Sequence, residues 1–149
     1  MDIEMKSVRK LRVHWPIASR TFSRLASGEA EAIEDDPGLA DLLRALEEST
    51  ELGDFGNYRH VFESALGFEG FTVSDGANPT LGSVGHRTVS PTLVFTTYFD
   101  AALEDAAVDA FTRRIVDIHP WELPVIELSA PVSVSASALT AAAGAEAGS

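Results

Sequence analysis

The sequence predicts an α+β fold in which four antiparallel strands form one sheet and two main helices cover one of its faces. Two observations carry this prediction. Residues 10–15 alternate between apolar and polar side chains, the period of two that marks a half-buried strand. Residues 92–128 have the pattern of strand, helix and strand with almost no loop between them. The remaining elements must therefore be arranged to cover this unit.

The first strand is predicted over residues 10–15, and Pro16 ends it because proline has no N–H to donate to a sheet. Its two faces carry different side chains, with Leu11, Val13 and Trp15 on one and Lys10, Arg12 and His14 on the other. Residues 17–35 have a weaker pattern that Gly28 interrupts. We interpret them as an insertion made of a short helix and a loop.

The first main helix is predicted over residues 37–49. Asp36 is a favourable N-cap, and Pro37 is favourable at the first helical position. Gly53 is available to end the helix. Four leucines follow at helical spacing: Leu39, Leu42, Leu43 and Leu46.

A turn over residues 54–58 and a second strand over residues 59–66 are expected next. Residues 67–84 are rich in glycine and contain a dense cluster of turn-forming residues at 75–79, which predicts an irregular hairpin. The third strand is predicted over residues 92–99. Its β-branched and aromatic composition is typical of a strand with both faces largely covered.

Asp100 is the predicted N-cap of the second main helix, whose apolar stripe is Leu103, Ala107, Phe111, Ile115 and Ile118. A turn braced by two prolines, residues 119–124, then leads into a fourth strand that ends at Leu128. We expect one domain over residues 1–134 and a flexible Ala/Ser/Gly-rich tail over residues 135–149.

This order of elements is the βαββαβ arrangement of the ferredoxin-like fold, with residues 17–35 as an inserted helical segment. In that arrangement one face of the sheet carries no helix. The third strand is also rich in aromatic residues, so we expect the protein to cover that face by self-association.

Composition excludes several classes of function. The chain has no cysteine, so any metal would have to bind His, Asp and Glu side chains. Its formal net charge of −12 argues against a nucleic-acid partner. No apolar run is long enough for a membrane helix, and the N-terminus lacks the pattern of a secretion signal, so a cytoplasmic location is expected. The basic residues near the N-terminus are either a solvated strand face or an anion-binding patch.

Three short motifs follow one another along the chain: Gly56-Asn57-Tyr58, then Asp75-Gly76-Ala77-Asn78-Pro79, then His119-Pro120-Trp121-Glu122. Together they resemble signatures of the YqfO-like domain of the NGG-interacting factor three-like family. The last motif also resembles the end of CutA. The resemblance covers roughly residues 39–128 and implies a PII-like, ferredoxin-like homotrimer. Trp121 stands where the family usually has tyrosine.

The resemblance stops short of an activity. The His-rich segments that build the dinuclear metal site of full-length relatives have no counterpart in these residues. The metal-dependent hydrolase activity suggested for those relatives is therefore not implied here.

His119 and Glu122 are the candidate chemical residues, because a proline-fixed turn could aim both into one cleft. With His60, they are the predicted metal ligands, and without a metal they could serve as an acid/base pair. The alternative is that His119 and Glu122 bond to nearby backbone and hold the turn. His14 and His86 look isolated.

Five further residues are candidate ligand contacts: Asn57, Tyr58, Asp75, Asn78 and Trp121. For most of them a structural role is the alternative. Asn57 and Asn78 would then shape turns, Tyr58 would pack, and Asp75 would cap a turn.

Three functions remain open. The first, which we favour, is a small homo-oligomer that binds a small molecule or a divalent metal ion in clefts between subunits. The second is a small-molecule enzyme that uses the cleft of His119 and Glu122, with acid/base or metal-assisted chemistry. The third is a structural trimer that acts as a scaffold.

Overall fold

The computed structural model describes residues 3–79 and 81–135. Within that part of the chain the predicted α+β class with an antiparallel sheet is confirmed, but the sheet has five strands instead of four, and there are four helices. None of the described helices is long and apolar enough to cross a membrane. The strands are β1 Lys6–Pro16, β2 Phe62–Thr72, β3 Arg87–Asp100, β4 Ile126–Leu128 and β5 Val132–Val134; the helices are α1 Ser19–Ala26, α2 Ala32–Asp35, α3 Pro37–Glu48 and α4 Asp105–Ile118.

The strands lie in the order β2-β3-β1-β4. Along one edge of β1, residues 11–13 pair with β4 and residues 6–8 pair with β5. All of these pairs are antiparallel. Between β1 and β3 the register runs from Val8 opposite Asp100 to Pro16 opposite Thr92. The β2–β3 pairing continues beyond that point to Thr72 opposite Arg87. The β2–β3 arm therefore projects past the end of β1.

The hydrophobic core lies between one face of the sheet and the helices. Leu11, Val13 and Trp15 are each 0% exposed, so the predicted inward face of the first strand is confirmed. The core against them consists of side chains from β3, α3 and α4, with α1 and α2 at its border. The opposite face carries polar side chains of β1 and β3; Lys10, His14, Thr96 and Tyr98 are half-buried there, and Arg12 is exposed.

The cap of α3 is formed as predicted. The Asp36 carboxylate accepts the backbone N–H groups of Gly38 (3.0 Å) and Leu39 (3.2 Å), which would otherwise lack partners in the first turn. Thr21 of α1 donates to the other carboxylate oxygen at 2.8 Å. The inserted segment is therefore joined to the main helix at its cap.

Two predicted helix boundaries are wrong. Asp100 is the last residue of β3, and its carboxylate accepts the N–H of Ala102 in a turn; α4 begins later, at Asp105. Gly53 does not end α3, which already ends at Glu48. Instead Gly53 has φ +67° and its N–H donates to the Tyr98 carbonyl, so it ties the following loop to β3.

The second strand also differs from the prediction. It begins at Phe62 and continues to Thr72, through two glycines that suggested an irregular segment. Gly67 and Gly70 have no positive φ and pair in register with β3. Glycine can adopt strand geometry where a partner strand supplies the hydrogen bonds. The irregular segment is therefore shorter than predicted and lies between Thr72 and Arg87.

The end of the described chain contains a strand that the sequence pattern did not predict. Ser129 lies between β4 and β5. Its hydroxyl oxygen accepts the backbone N–H of Lys10 at 2.7 Å, where a regular strand pair would use a backbone carbonyl. β5 then pairs with the start of β1. Except for Ser135, the predicted tail lies outside the described residues.

Candidate ligand cleft

A cleft of about 400 Å³ lies between two segments that are distant in sequence. One wall is the end of β2 together with the loop of residues 73–81. The other is the turn that follows α4. Its residues are Glu69, Phe71, Thr72, Val73, Ser74, Ala77, Pro79, Leu81, Trp121, Glu122 and Leu123. The motifs at 75–79 and 119–122 thus meet in the folded chain.

His119 holds the turn in place. Its side chain is 8% exposed and lies edge-on to Trp15, with ring centroids 4.6 Å apart. The Nε2–H group donates to the carbonyl of His14 at 2.7 Å, and Nδ1 accepts the N–H of Trp121 at 3.0 Å. Both ring nitrogens are therefore occupied by backbone groups. This is the turn-holding role that the sequence left as an alternative.

These bonds fix one neutral tautomer of His119. Burial lowers the pKa of the His119 imidazole below its ordinary value of 6.5; the bond to the His14 carbonyl and the charge of Glu69 act in the opposite direction. A proton added at Nδ1 would remove the acceptor of the Trp121 N–H. The turn is therefore compatible with neutral His119 only.

We expect the free energy of unfolding to fall as the pH is lowered below about 6.5. The folded pKa is lower than the unfolded one, so the unfolded chain binds the proton first. The stabilisation that neutral His119 provides is complete above the pKa of the unfolded chain. It is lost as the pH falls toward the lower pKa of the folded protein. Urea denaturation at several pH values would measure it, and His119→Ala should flatten this slope while His86→Ala should not.

Glu122 joins the turn to the opposite wall. Its carboxylate oxygens accept the backbone N–H of Asn78 at 2.9 and 3.3 Å. An ionised acceptor strengthens such a bond. Glu122 and Asn78 are both exposed, so this contact closes the cleft at its surface.

The loop on the other side is shaped by its own backbone. Val73 is buried, and its carbonyl accepts the N–H of Gly85 at 2.7 Å. Gly82 has φ +90°, and a Cβ there would lie 2.5 Å from the Thr88 hydroxyl oxygen. The positive φ favours glycine at position 82, and a larger residue there would also displace the Thr88 side chain.

A second histidine approaches the cleft from β1. His14 Nδ1 and Glu69 Oε1 are 2.9 Å apart, across the intervening strand β3. His14 is therefore not isolated, contrary to the sequence prediction, and it orients a carboxylate of the cleft.

The first motif lies elsewhere in the fold. Tyr58 is 70% exposed, Asn57 is exposed, and neither lines the cleft. His60 has φ +57° and borders a different cavity, of about 400 Å³, beside Glu31, Glu34 and Glu47. Asp75 is exposed and is likewise outside the cleft lining. Of the predicted site residues, Trp121 and Glu122 line the cleft, and Asn78 meets them through the backbone N–H that Glu122 accepts.

The predicted metal set is not assembled within the described part of the chain. Among the described residues there is no group of three His, Asp or Glu side chains placed to hold a metal ion. His60 lines the second cavity, and the ring nitrogens of His119 are already bonded to backbone. A metal shared between subunits stays a prediction.

Glu69 and Phe71 were missed by the sequence analysis. Both lie in a stretch that its glycines marked as irregular. Their spacing could have indicated a shared site. Glu69 and Phe71 are two positions apart, so they lie on the same face of the sheet if the segment is a strand.

Comparison with known proteins supports the fold alone. A solved Bacillus cereus protein related to NIF3 matches with a TM-score of 0.55 and 17% sequence identity. The match covers 89% of this chain but 27% of that one, so the chain spans about a quarter of its length. No protein-family model and no curated protein matches the sequence. The chain is therefore similar to part of a NIF3-related structure in the arrangement of its helices and strands.

Proposed function

We propose that the protein is a homo-oligomeric small-molecule-binding module whose ligand occupies the cleft between Trp121 and the loop of residues 73–81. The observation that carries this proposal is the convergence of Asn78, Trp121 and Glu122 from distant parts of the chain. A mostly apolar concave site with a few oriented polar groups is the usual form of a ligand pocket, and about 300–1,000 Å³ is the usual size.

The strand order supports a ferredoxin-like, PII/CutA-like domain over residues 1–134. The order β2-β3-β1-β4 with antiparallel pairing is that of a βαββαβ unit in which α3 and α4 are the two crossover helices. Helices α1 and α2 then form the insertion at 17–35, and β5 is an addition to the edge. The likeness to a NIF3-related structure is compatible with this assignment.

A small organic ligand has more support than the other candidates. A metal ion would need free donor atoms, but both nitrogens of His119 hold the turn and Glu122 is bonded to Asn78. The same bonds leave His119 without a nitrogen for proton transfer. The residues of the third motif thus suit binding better than acid/base chemistry.

Self-association is supported by apolar side chains on the projecting arm. Phe68 and Val89 are 67% and 57% exposed, and β2 lies at an edge of the sheet. An edge strand with exposed apolar residues favours pairing with another chain. We expect sedimentation equilibrium to give a trimer, three times the subunit mass of 15.9 kDa. A monomer at micromolar concentration would contradict this part of the proposal.

Binding can be tested with a library of small organic compounds and ligand-detected NMR. Compounds that bind the wild-type protein should lose at least about tenfold in affinity with Trp121→Ala, because that ring forms one wall of the cleft. Tyr58→Ala is the matched control, since Tyr58 is a more exposed aromatic residue outside the cleft. Equal binding to the wild type and Trp121→Ala would contradict the proposed site.

A further inference from the structure

We infer that the ligand of the cleft is an organic cation, a substituted ammonium group that carries carbon substituents. This inference rests on the proposed function and adds the chemical class of the ligand. It is carried by the aromatic rings, the charges and the apolar surface that line one cavity.

The aromatic part is a corner formed by Phe71 and Trp121. Their ring centroids are 5.6 Å apart and their planes meet at 67°. At this angle the two rings are not stacked face to face on each other. Both side chains line the cleft. The faces of aromatic rings carry negative partial charge and attract ammonium groups within about 6 Å of the ring centroid.

The charged groups of the cleft have one sign. Among its lining residues the ionisable ones are Glu69 and Glu122, and no Lys, Arg or His side chain lines it. The Asn78 amide that bonds to Glu122 is neutral, and His14 contacts one oxygen of Glu69 from outside the cleft lining. The net charge of −12 adds an attraction for cations and a repulsion for anions.

The remaining surface distinguishes an organic cation from an inorganic one. Val73, Leu81 and Leu123 contribute apolar side chains. Among the described residues no group of three His, Asp or Glu side chains is placed to hold a metal ion, and one oxygen of Glu69 is already bonded to His14. An ammonium group with methyl or larger substituents can contact the apolar walls and the rings while its charge faces the two carboxylates.

The first test compares a cation with its neutral isostere. Choline and 3,3-dimethyl-1-butanol have nearly the same shape, but only choline is charged. Binding can be followed by the fluorescence of Trp121, because the other tryptophan, Trp15, is 0% exposed and gives a constant background. We expect saturable binding of choline and at least about tenfold weaker binding of the neutral alcohol.

The second test removes one feature at a time. Phe71→Leu keeps an apolar side chain but no ring, and Glu122→Gln keeps an acceptor for the Asn78 amide but no charge. Each should weaken choline binding by about threefold to tenfold, with little effect on the alcohol. Glu63→Gln is the matched control, because Glu63 is an exposed carboxylate on β2 outside the cleft.

The outcomes separate this inference from the proposed function. If the alcohol binds as tightly as choline, or if choline does not saturate while other compounds bind in a Trp121-dependent way, the cation assignment is wrong and the cleft function stands. If no compound binds in a Trp121-dependent way, both are wrong.

Discussion

Replacement of His119 by alanine is expected to lower the free energy of unfolding by about 2–4 kcal/mol and to abolish ligand binding in the cleft. The substitution leaves the carbonyl of His14 and the N–H of Trp121 without their partners. It also leaves a void beside Trp15, against which the imidazole packs. Without these contacts the turn no longer positions Trp121 and Glu122. Chemical denaturation and a binding titration on the same variant would measure both effects.

His86→Ala is the matched control for that experiment. His86 is an exposed histidine in the loop after β2, and its side chain has no hydrogen bond among those found for the described residues. A surface substitution of this kind should change stability by less than about 0.5 kcal/mol. If His119→Ala were as stable as His86→Ala and bound ligand normally, the imidazole would not be the group that holds the turn.

Replacement of Phe95 by alanine is expected to lower the free energy of unfolding by about 3–5 kcal/mol. Phe95 is 2% exposed at the centre of β3, and its ring stacks on Phe62 of the neighbouring strand at 4.9 Å. Alanine would leave a large void between the sheet and the helices. Urea denaturation of the wild type and the variant, at equal protein concentration because of the expected oligomer, measures the difference.

Phe95→Leu separates the lost volume from the lost ring. Leucine fills much of the space, so it should lower the free energy of unfolding by no more than about 1.5 kcal/mol. A loss below about 1 kcal/mol for Phe95→Ala would mean that the core closes around the void or that Phe95 is not at its centre.

Several elements could be predicted from local patterns, because the residues that determine them are close together in the sequence. The alternation in β1 and the Asp36 cap of α3 depend on residues close in sequence, and both are present. The first and third strands were predicted shorter than they are. Asp100 has the residue type of a cap but lies in a strand, because the chain makes a further turn before α4 begins.

The features that the sequence analysis missed depend on contacts between distant residues. Gly67 and Gly70 resemble chain breakers in isolation, yet β3 supplies their hydrogen bonds and continues the strand through them. β5 has only three residues and is ordered by its pairing with β1. Such contacts cannot be read from periodicity, because the pairing register is set by the whole sheet.

The same limit applies to the site. The third motif was recognised as a rigid turn, but whether His119 faced a ligand or the backbone depended on the position of β1. His14 and Glu69 are 55 residues apart and meet only through the three-strand register. The contact between Asn78 and Glu122 spans 44 residues and uses a backbone group, which no side-chain pattern indicates.

The cleft is tested most directly by NMR with ¹⁵N-labelled protein and a compound that binds it. We expect chemical-shift changes at the backbone amides of Asn78 and Trp121 and at the Trp121 indole N–H, with little change at Tyr58, His60 or the buried indole of Trp15. Shifts confined to the region of Tyr58 and His60 would place the ligand elsewhere and contradict the account.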